Sequence, residues 1–273
     1  MADSEVFTIE RERNVATLWL DSPERRNAMG EAFWAGLPIC MDELGDDPEV
    51  RAIVVAAKGP HFTVGLDLKA MGQVTGSGSG NTSRAAGAAG FLKHVKKLQA
   101  SITTVADCPK PVIAAIHSWC IGGGVDLISA CDIRLASADA KFSVRETKIA
   151  IVADVGTLQR LPRIIGAGHV AELAYTGKDI TAERAREIGL VNDVLPDQDA
   201  TVKAAQAMAA EIAANSPLAV VGPKAVLRAT EDMSVAEGLD YVAVWNSAFL
   251  QSNDLIEAMT AFIEKREPKF TGG

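Results

Sequence analysis

Cys120-Ile121-Gly122-Gly123-Gly124-Val125-Asp126-Leu127 is the stretch on which the fold turns. It follows an apolar run, Pro111-Val112-Ile113-Ala114-Ala115-Ile116, that reads as a buried strand. Consecutive glycines let the backbone approach a ligand closely, and a helix opening there aims free N–H groups and its positive dipole end at that ligand. From the glycines alone, a plain strand–helix turn is an equally good reading. The triplet continues as Val125-Asp126-Leu127 and does not complete G-x-G-x-x-G, so a dinucleotide site is poorly supported. A further strand, Asp132-Ile133-Arg134-Leu135-Ala136, lies beyond the helix.

Moving outward, Val15-Ala16-Thr17-Leu18-Trp19-Leu20 reads as a strand ended by Asp21-Ser22-Pro23. A helix is expected over residues 30–44, with Pro38 inside it. Ala52-Ile53-Val54-Val55-Ala56-Ala57 is continuously apolar, as in a parallel strand covered on both faces. Residues 75–90, rich in Gly, Ser, Thr, Asn and Ala, read as a loop, and a helix restarts over 91–106. Strand–helix alternation of this kind points to an α/β fold. Beyond Thr181 the pattern is helical, over 182–188, 200–214, 217–229 and 235–263. The division expected is a core over 1–200 and a C-terminal helical region over 201–273 that packs on the core or mediates assembly.

The composition is that of a soluble globular protein: 273 residues, 48% hydrophobic and 23% charged. With 27 Lys+Arg against 35 Asp+Glu the formal net charge is −8, which argues against nucleic-acid or anionic-membrane partners. Cys40, Cys108, Cys120 and Cys131 show no C-x-x-C spacing and read as reduced structural thiols. The four histidines form no ligand pair, so no metal is expected. Residues 1–5 lack the basic start and apolar run of a signal peptide, and no apolar stretch is long enough to span a bilayer. The terminal Phe270-Thr271-Gly272-Gly273 is not the S-K-L address. The expectation is a cytoplasmic protein with no membrane partner.

Two more segments carry chemistry. Phe62-Thr63-Val64-Gly65-Leu66-Asp67-Leu68 is a second turn after an apolar strand, and two such turns could each supply one N–H to an oxyanion hole for a polarised carbonyl. Glu146 and Asp154 flank Ile149-Ala150-Ile151-Val152-Ala153; carboxylates in apolar surroundings have raised pKa values and can pass protons to and from carbon acids. Read singly, the turn could be an ordinary loop and the acids solvated surface groups.

Together the three segments resemble the enoyl-CoA hydratase/isomerase (crotonase) superfamily. The resemblance runs from Leu20-Asp21-Ser22-Pro23 and Asn27-Ala28-Met29 to Phe262-Ile263-Glu264-Lys265-Arg266-Glu267-Pro268-Lys269-Phe270. Within it, Pro109-Lys110-Pro111 and Ala130-Cys131-Asp132-Ile133-Arg134 frame the glycine turn. It implies an α/β spiral of repeated ββα units (ClpP-like), a C-terminal helical oligomerisation region, and homotrimers that usually pair into homohexamers. It also implies an acyl-CoA thioester whose carbonyl sits between the amides of Leu66 and Gly123. Val64, Gly65, Asp67 and Leu68 would shape the same substrate-binding turn.

A typical hydratase has glutamates at the positions of Asp126 and Glu146 and glycine at that of Asp154. Asp126, Glu146 and Asp154, within Gly-Gly-Gly-Val-Asp-Leu and Ala-Asp-Val-Gly-Thr-Leu-Gln-Arg-Leu-Pro, look like the catalytic set of Δ3,5-Δ2,4-dienoyl-CoA isomerases. Such enzymes shift a proton between C2 and C6 without metal, nucleotide or redox cofactor, a reaction at home in fatty-acid β-oxidation. The resemblance implies Glu146 and Asp154 as the acid/base pair, with Asp126 tuning Glu146 or holding a polar neighbour. The alternatives are an enoyl-CoA hydratase or Δ3-Δ2-enoyl-CoA isomerase, and a non-catalytic crotonase-like binding protein. The apolar residues around Asp154 are expected to exclude bulk water.

Overall fold

The computed structural model describes residues 5–68 and 83–273. Its central sheet has the strand order β1 (Phe7–Glu12), β2 (Val15–Leu20), β3 (Ala52–Ala57), β4 (Val112–Ile116), β6 (Ile133–Ser137) and β9 (Asp193–Leu195). β1 and β2 form an antiparallel hairpin, and every later neighbour is parallel. Parallel neighbours need crossovers, supplied first by α1 (Glu31–Asp46) and α2 (Arg84–Asp107).

The continuous apolar runs are explained by cover on both faces. Ile53, Val55, Ala57, Val112, Ala114 and Ile116 point into the larger core, with Leu37, Met41 and Ile102 from α1 and α2. Val54, Ala56, Ile113, Ala115 and Leu135 point the other way, against Ala205, Ala209 and Ala213 of α7 (Gln198–Ala213). Alanines every four residues let this helix lie close on the sheet. Each fully buried Val, Leu or Ile contributes about 1.5–3 kcal/mol. Residue 200 therefore falls inside a helix that packs on the central sheet.

A second, three-stranded sheet consists of β5 (Trp119–Ile121), β7 (Lys141–Ser143) and β8 (Ile180–Thr181). An isolated bridge joins Thr63 to Cys120, and Cys120 pairs in turn with Phe142. Successive long strands β3, β4 and β6 thus each lead into a short segment of this second layer. β4–β5–α3, with α3 at Gly123–Ala130, is one ββα unit of that winding.

Several elements differ from expectation. Of the loop expected over 75–90, residues 75–82 lie outside the described residues, whereas 84–90 are helical. Ser83 caps that helix by accepting from Ala86 N at 3.2 Å, and four alanines among these seven residues outweigh two glycines. The single helix expected over 235–263 is two, α9 (Val235–Phe249) and α10 (Asn253–Glu264). Ser252, with its side chain on Leu255 N, starts the second. Helices α4 (Thr157–Ile164) and α5 (Ala167–Thr176) lie between β7 and β8, α6 (Ala182–Glu187) leads from β8 to β9, and α8 (Pro217–Ala229) precedes α9. The last two helices leave Val235, Leu239, Val244, Met259, Phe262 and Ile263 more than half exposed. No described helix is long and apolar enough to cross a membrane.

Candidate active site

The two glycine turns meet at the end of the central strands. Gly65 has φ +78°, and a Cβ there would lie 2.5 Å from Ile121 O and 3.2 Å from Gly123 N, so only glycine fits. Its carbonyl accepts from Met29 N at 2.8 Å, and Asp67 N donates to Met29 O at 3.2 Å. Leu66 N–H lies between these two ladder bonds and faces the other way. A Cβ built on Gly123 would lie 4.0 Å from Leu66 N and 2.7 Å from Met29 Sδ. Gly123 opens α3, so its N–H lacks an intrahelical partner. Among the described residues no hydrogen bond takes up either amide. Two unspent donors side by side, with a helix N-terminus behind one, suit an oxygen that gains negative charge.

The other residues of the Val64–Leu68 turn are placed as follows. Val64 N donates to Arg26 O at 3.2 Å, Asp67 is ion-paired with Arg25, and the Leu68 side chain is exposed.

Glu146 begins a short 3-10 turn (Glu146–Ile149) after β7. Its Oε1 lies 3.3 Å from where a Gly122 Cβ would be, so the carboxylate overlies the glycine turn. Its Oε2 is buried with no hydrogen-bond partner among the described residues. Burial, then the charges of Asp126 and Asp154, push its carboxyl up to about 7. That is where a group that both takes and gives protons near neutrality is most useful.

Asp126 sits in the first turn of α3, 1% exposed, and its Oδ1 accepts from Thr157 N at 2.6 Å. Burial pushes it up to about 6, against the hydrogen bond from Thr157 and the charge of Arg160. Asp154 is half-buried and also raised, by burial first, with His94 pulling it back. The three acids stand close enough for Asp126 and Asp154 both to raise Glu146.

The apolar stretch beside Asp154 does not enclose it as expected. Ile149, at the end of the 3-10 turn, is 43% exposed and Val152, in the irregular stretch after it, 72%, and only Ala153 and Val155 are buried. Sequence reasoning also missed Gln99 and Arg160, which donate to backbone carbonyls of the Asp154 segment, and the Thr157 amide, which donates to Asp126. The one available signal was Gly156, whose φ is +135° and whose Cβ would lie 1.9 Å from Arg160 Nη1. His117, with Nε2 3.0 Å from Gly59 O, is buried and structural. Arg266 is engaged by Glu257 and Glu264.

Residues 10–273 match the family model described as enoyl-CoA hydratase/isomerase. A peroxisomal Δ(3,5)-Δ(2,4)-dienoyl-CoA isomerase of Arabidopsis thaliana is 42% identical over 97% of this chain and 96% of its own. The mitochondrial Δ(3,5)-Δ(2,4)-dienoyl-CoA isomerase of Mus musculus is 45% identical over 94% of this chain and 79% of its own. Among solved structures, a putative enoyl-CoA hydratase from Streptomyces coelicolor A3(2) superposes with a TM-score of 0.90 at 30% identity, covering 100% of this chain and 96% of that one. An enoyl-CoA hydratase from Bacillus anthracis gives 0.88 at 29% identity, over 98% and 100%.

Proposed function

The chain belongs to the enoyl-CoA hydratase/isomerase family, and from that premise we propose that it isomerises 3,5-dienoyl-CoA to 2,4-dienoyl-CoA. The observation that carries the reading is the acid set: Glu146 with a buried, unpartnered oxygen above the glycine turn, and Asp154 as a second raised carboxylate nearby. The likeness to dienoyl-CoA isomerases over nearly the whole chain supports it.

The thioester carbonyl sits between the amides of Leu66 and Gly123. One carboxylate of the Glu146/Asp154 pair starts ionised and the other protonated. The ionised one takes the C2 proton, and the C2–H electron pair becomes a dienolate whose oxygen the two amides hold. The protonated partner then delivers its proton to C6, so C3=C4 and C5=C6 become C2=C3 and C4=C5. The proton ends on the other member of the pair, and exchange with solvent resets it. The steps use carboxylates and amides only, with no metal, nucleotide or redox cofactor.

Asp126 acts differently: its oxygen is committed to the Thr157 amide, and its charge helps keep Glu146 protonated near neutrality. An Asp fixed in this way is poorly placed to share an added water with Glu146, which weighs against a hydratase. The substrate is an acyl-CoA of fatty-acid β-oxidation, and Val64, Gly65, Asp67 and Leu68 form the turn around its thioester. The exposed apolar face of α9 and α10 supports a C-terminal region (201–273) that joins a core (1–200) into trimers or hexamers. Four buried, unpaired cysteines suit a reducing compartment, and we place the protein in the cytoplasm.

The test is parallel incubation with 3,5-octadienoyl-CoA and a 2-enoyl-CoA. Fast growth of the conjugated 2,4-dienoyl thioester absorbance, with little hydration, supports the reading. Efficient hydration without a diene shift overturns it.

A further inference from the structure

We propose that Gln99 and Arg160 are positioning residues that fix the peptide carrying Asp154, and so the point at which its carboxylate meets the substrate. The inference rests on the isomerase reading above, in which Asp154 moves a proton.

Residues 151–154 have no helix or strand of their own. Their last ladder-like anchor is Ile151 N on Glu146 O, at 3.0 Å. From there to α4, side chains hold the backbone. Gln99 Nε2 donates to Asp154 O at 2.7 Å. Arg160 Nη1 donates to Val155 O at 3.4 Å, and Asp126 Oδ1 accepts from Thr157 N at 2.6 Å. Gly156 makes room for this arrangement, since any side chain there would collide with the Arg160 guanidinium. Arg160 Nη2 also donates to Thr103 Oγ1 at 3.0 Å.

Gln99 and Thr103 are one turn apart on α2, so both clamps end on the same face of one helix. All three peptide units between residues 154 and 157 are thereby pinned by side chains, two of them from outside the segment's own helix. Asp has only two side-chain torsions, so a fixed peptide leaves its carboxylate a small range. A misplacement of about 1 Å can cost about 10²-fold in rate.

The experiment compares wild type with Asp154→Asn, Gln99→Met and Arg160→Lys in D2O. NMR follows exchange of the C2 proton of 3,5-octadienoyl-CoA and the C6 proton of 2,4-octadienoyl-CoA. Asp154→Asn identifies which exchange Asp154 serves. Gln99→Met keeps the length of Gln but cannot donate. It should lower that same exchange and kcat about tenfold or more, leaving the other exchange and KM within about twofold. Arg160→Lys retains the charge but loses the paired donors, and should show the same selective pattern. It serves as the second variant should Gln99→Met prove poorly folded by circular dichroism. Equal loss at both carbons, or no loss at either, overturns the positioning role. A wild type inert on both dienes overturns the isomerase reading and this inference with it.

Discussion

Replacing Glu146 by Gln should stabilise the folded chain above neutral pH while removing activity. Burial raises this carboxyl from 4.5 to about 7, so between those values the folded state keeps a proton that the unfolded chain has released. A state that binds the extra proton loses stability as pH rises, here from about 4.5 to about 7. At about 1.4 kcal/mol per tenfold, full ionisation costs about 3 kcal/mol at pH 8, and under about 1 kcal/mol at pH 5. Wild type should therefore lose about 2–3 kcal/mol across that interval through Glu146 alone. Gln has the shape of the protonated acid and does not titrate, so the variant should lack this part of the slope. Asp126, pushed up to about 6, leaves a smaller slope of the same sign in both proteins. Urea unfolding at pH 5 and pH 8 reads the difference as a change in midpoint at constant m. In a thermal scan at matched protomer concentration it amounts to about 5 °C or more at pH 8. A variant whose advantage over wild type does not grow between pH 5 and pH 8 would refute burial as the cause of the raised carboxyl.

The remaining expectations concern catalysis and reactivity. Asp154→Asn should lower kcat for diene formation by about 10²–10⁴-fold with the fold intact, and a loss below about threefold contradicts an acid/base role. Gly65→Ala, strained at φ +78° and colliding with Ile121 O, should displace the Leu66 amide and cost about 10²–10³ in kcat, read by steady-state kinetics beside a circular-dichroism control. The proposed mechanism requires the Glu146/Asp154 pair singly protonated, so kcat should be bell-shaped in pH, with its falling limb near 7 where Glu146 ionises; a plateau extending well above pH 8 contradicts this. Burial pushes Cys40 up to about 11, Cys131 up to about 12 and Cys120 far above its usual range. Iodoacetamide at pH 8 should thus label none of these three in native protein and all of them in urea, as mass spectrometry would show.

Much of the core was legible because β3 and β4 are continuous apolar runs, and a parallel sheet covered on both faces leaves that signature. The Gly122-Gly123-Gly124 turn was legible for a related reason: close backbone approach leaves glycine little competition. The second layer was not, since β5 and β7 have three residues each and β8 two, too few to show a period. Residues 84–90 read as loop because their glycines resemble those of a linker, while the deciding contact is one capping hydroxyl, Ser83. The break at 250–252 was hidden the same way, by the cap at Ser252. In the site, the acids were visible as residue types, but their partners were not. The bonds Asp126–Thr157 N, Gln99–Asp154 O and Arg160–Val155 O end on backbone atoms, which every residue carries, so composition holds no trace of them. The outward turn of Val152 was equally silent, because an apolar pentapeptide looks the same whether it lines a pocket or faces away.

The most direct test of the account converts 3,5-octadienoyl-CoA with wild-type protein in D2O and locates deuterium in the product by NMR. A proton shift through two exchanging carboxylates predicts 2,4-octadienoyl-CoA carrying solvent deuterium at C6 and no hydroxyl at C3. A 3-hydroxyacyl product, or unchanged substrate with deuterium at neither C2 nor C6, would contradict it.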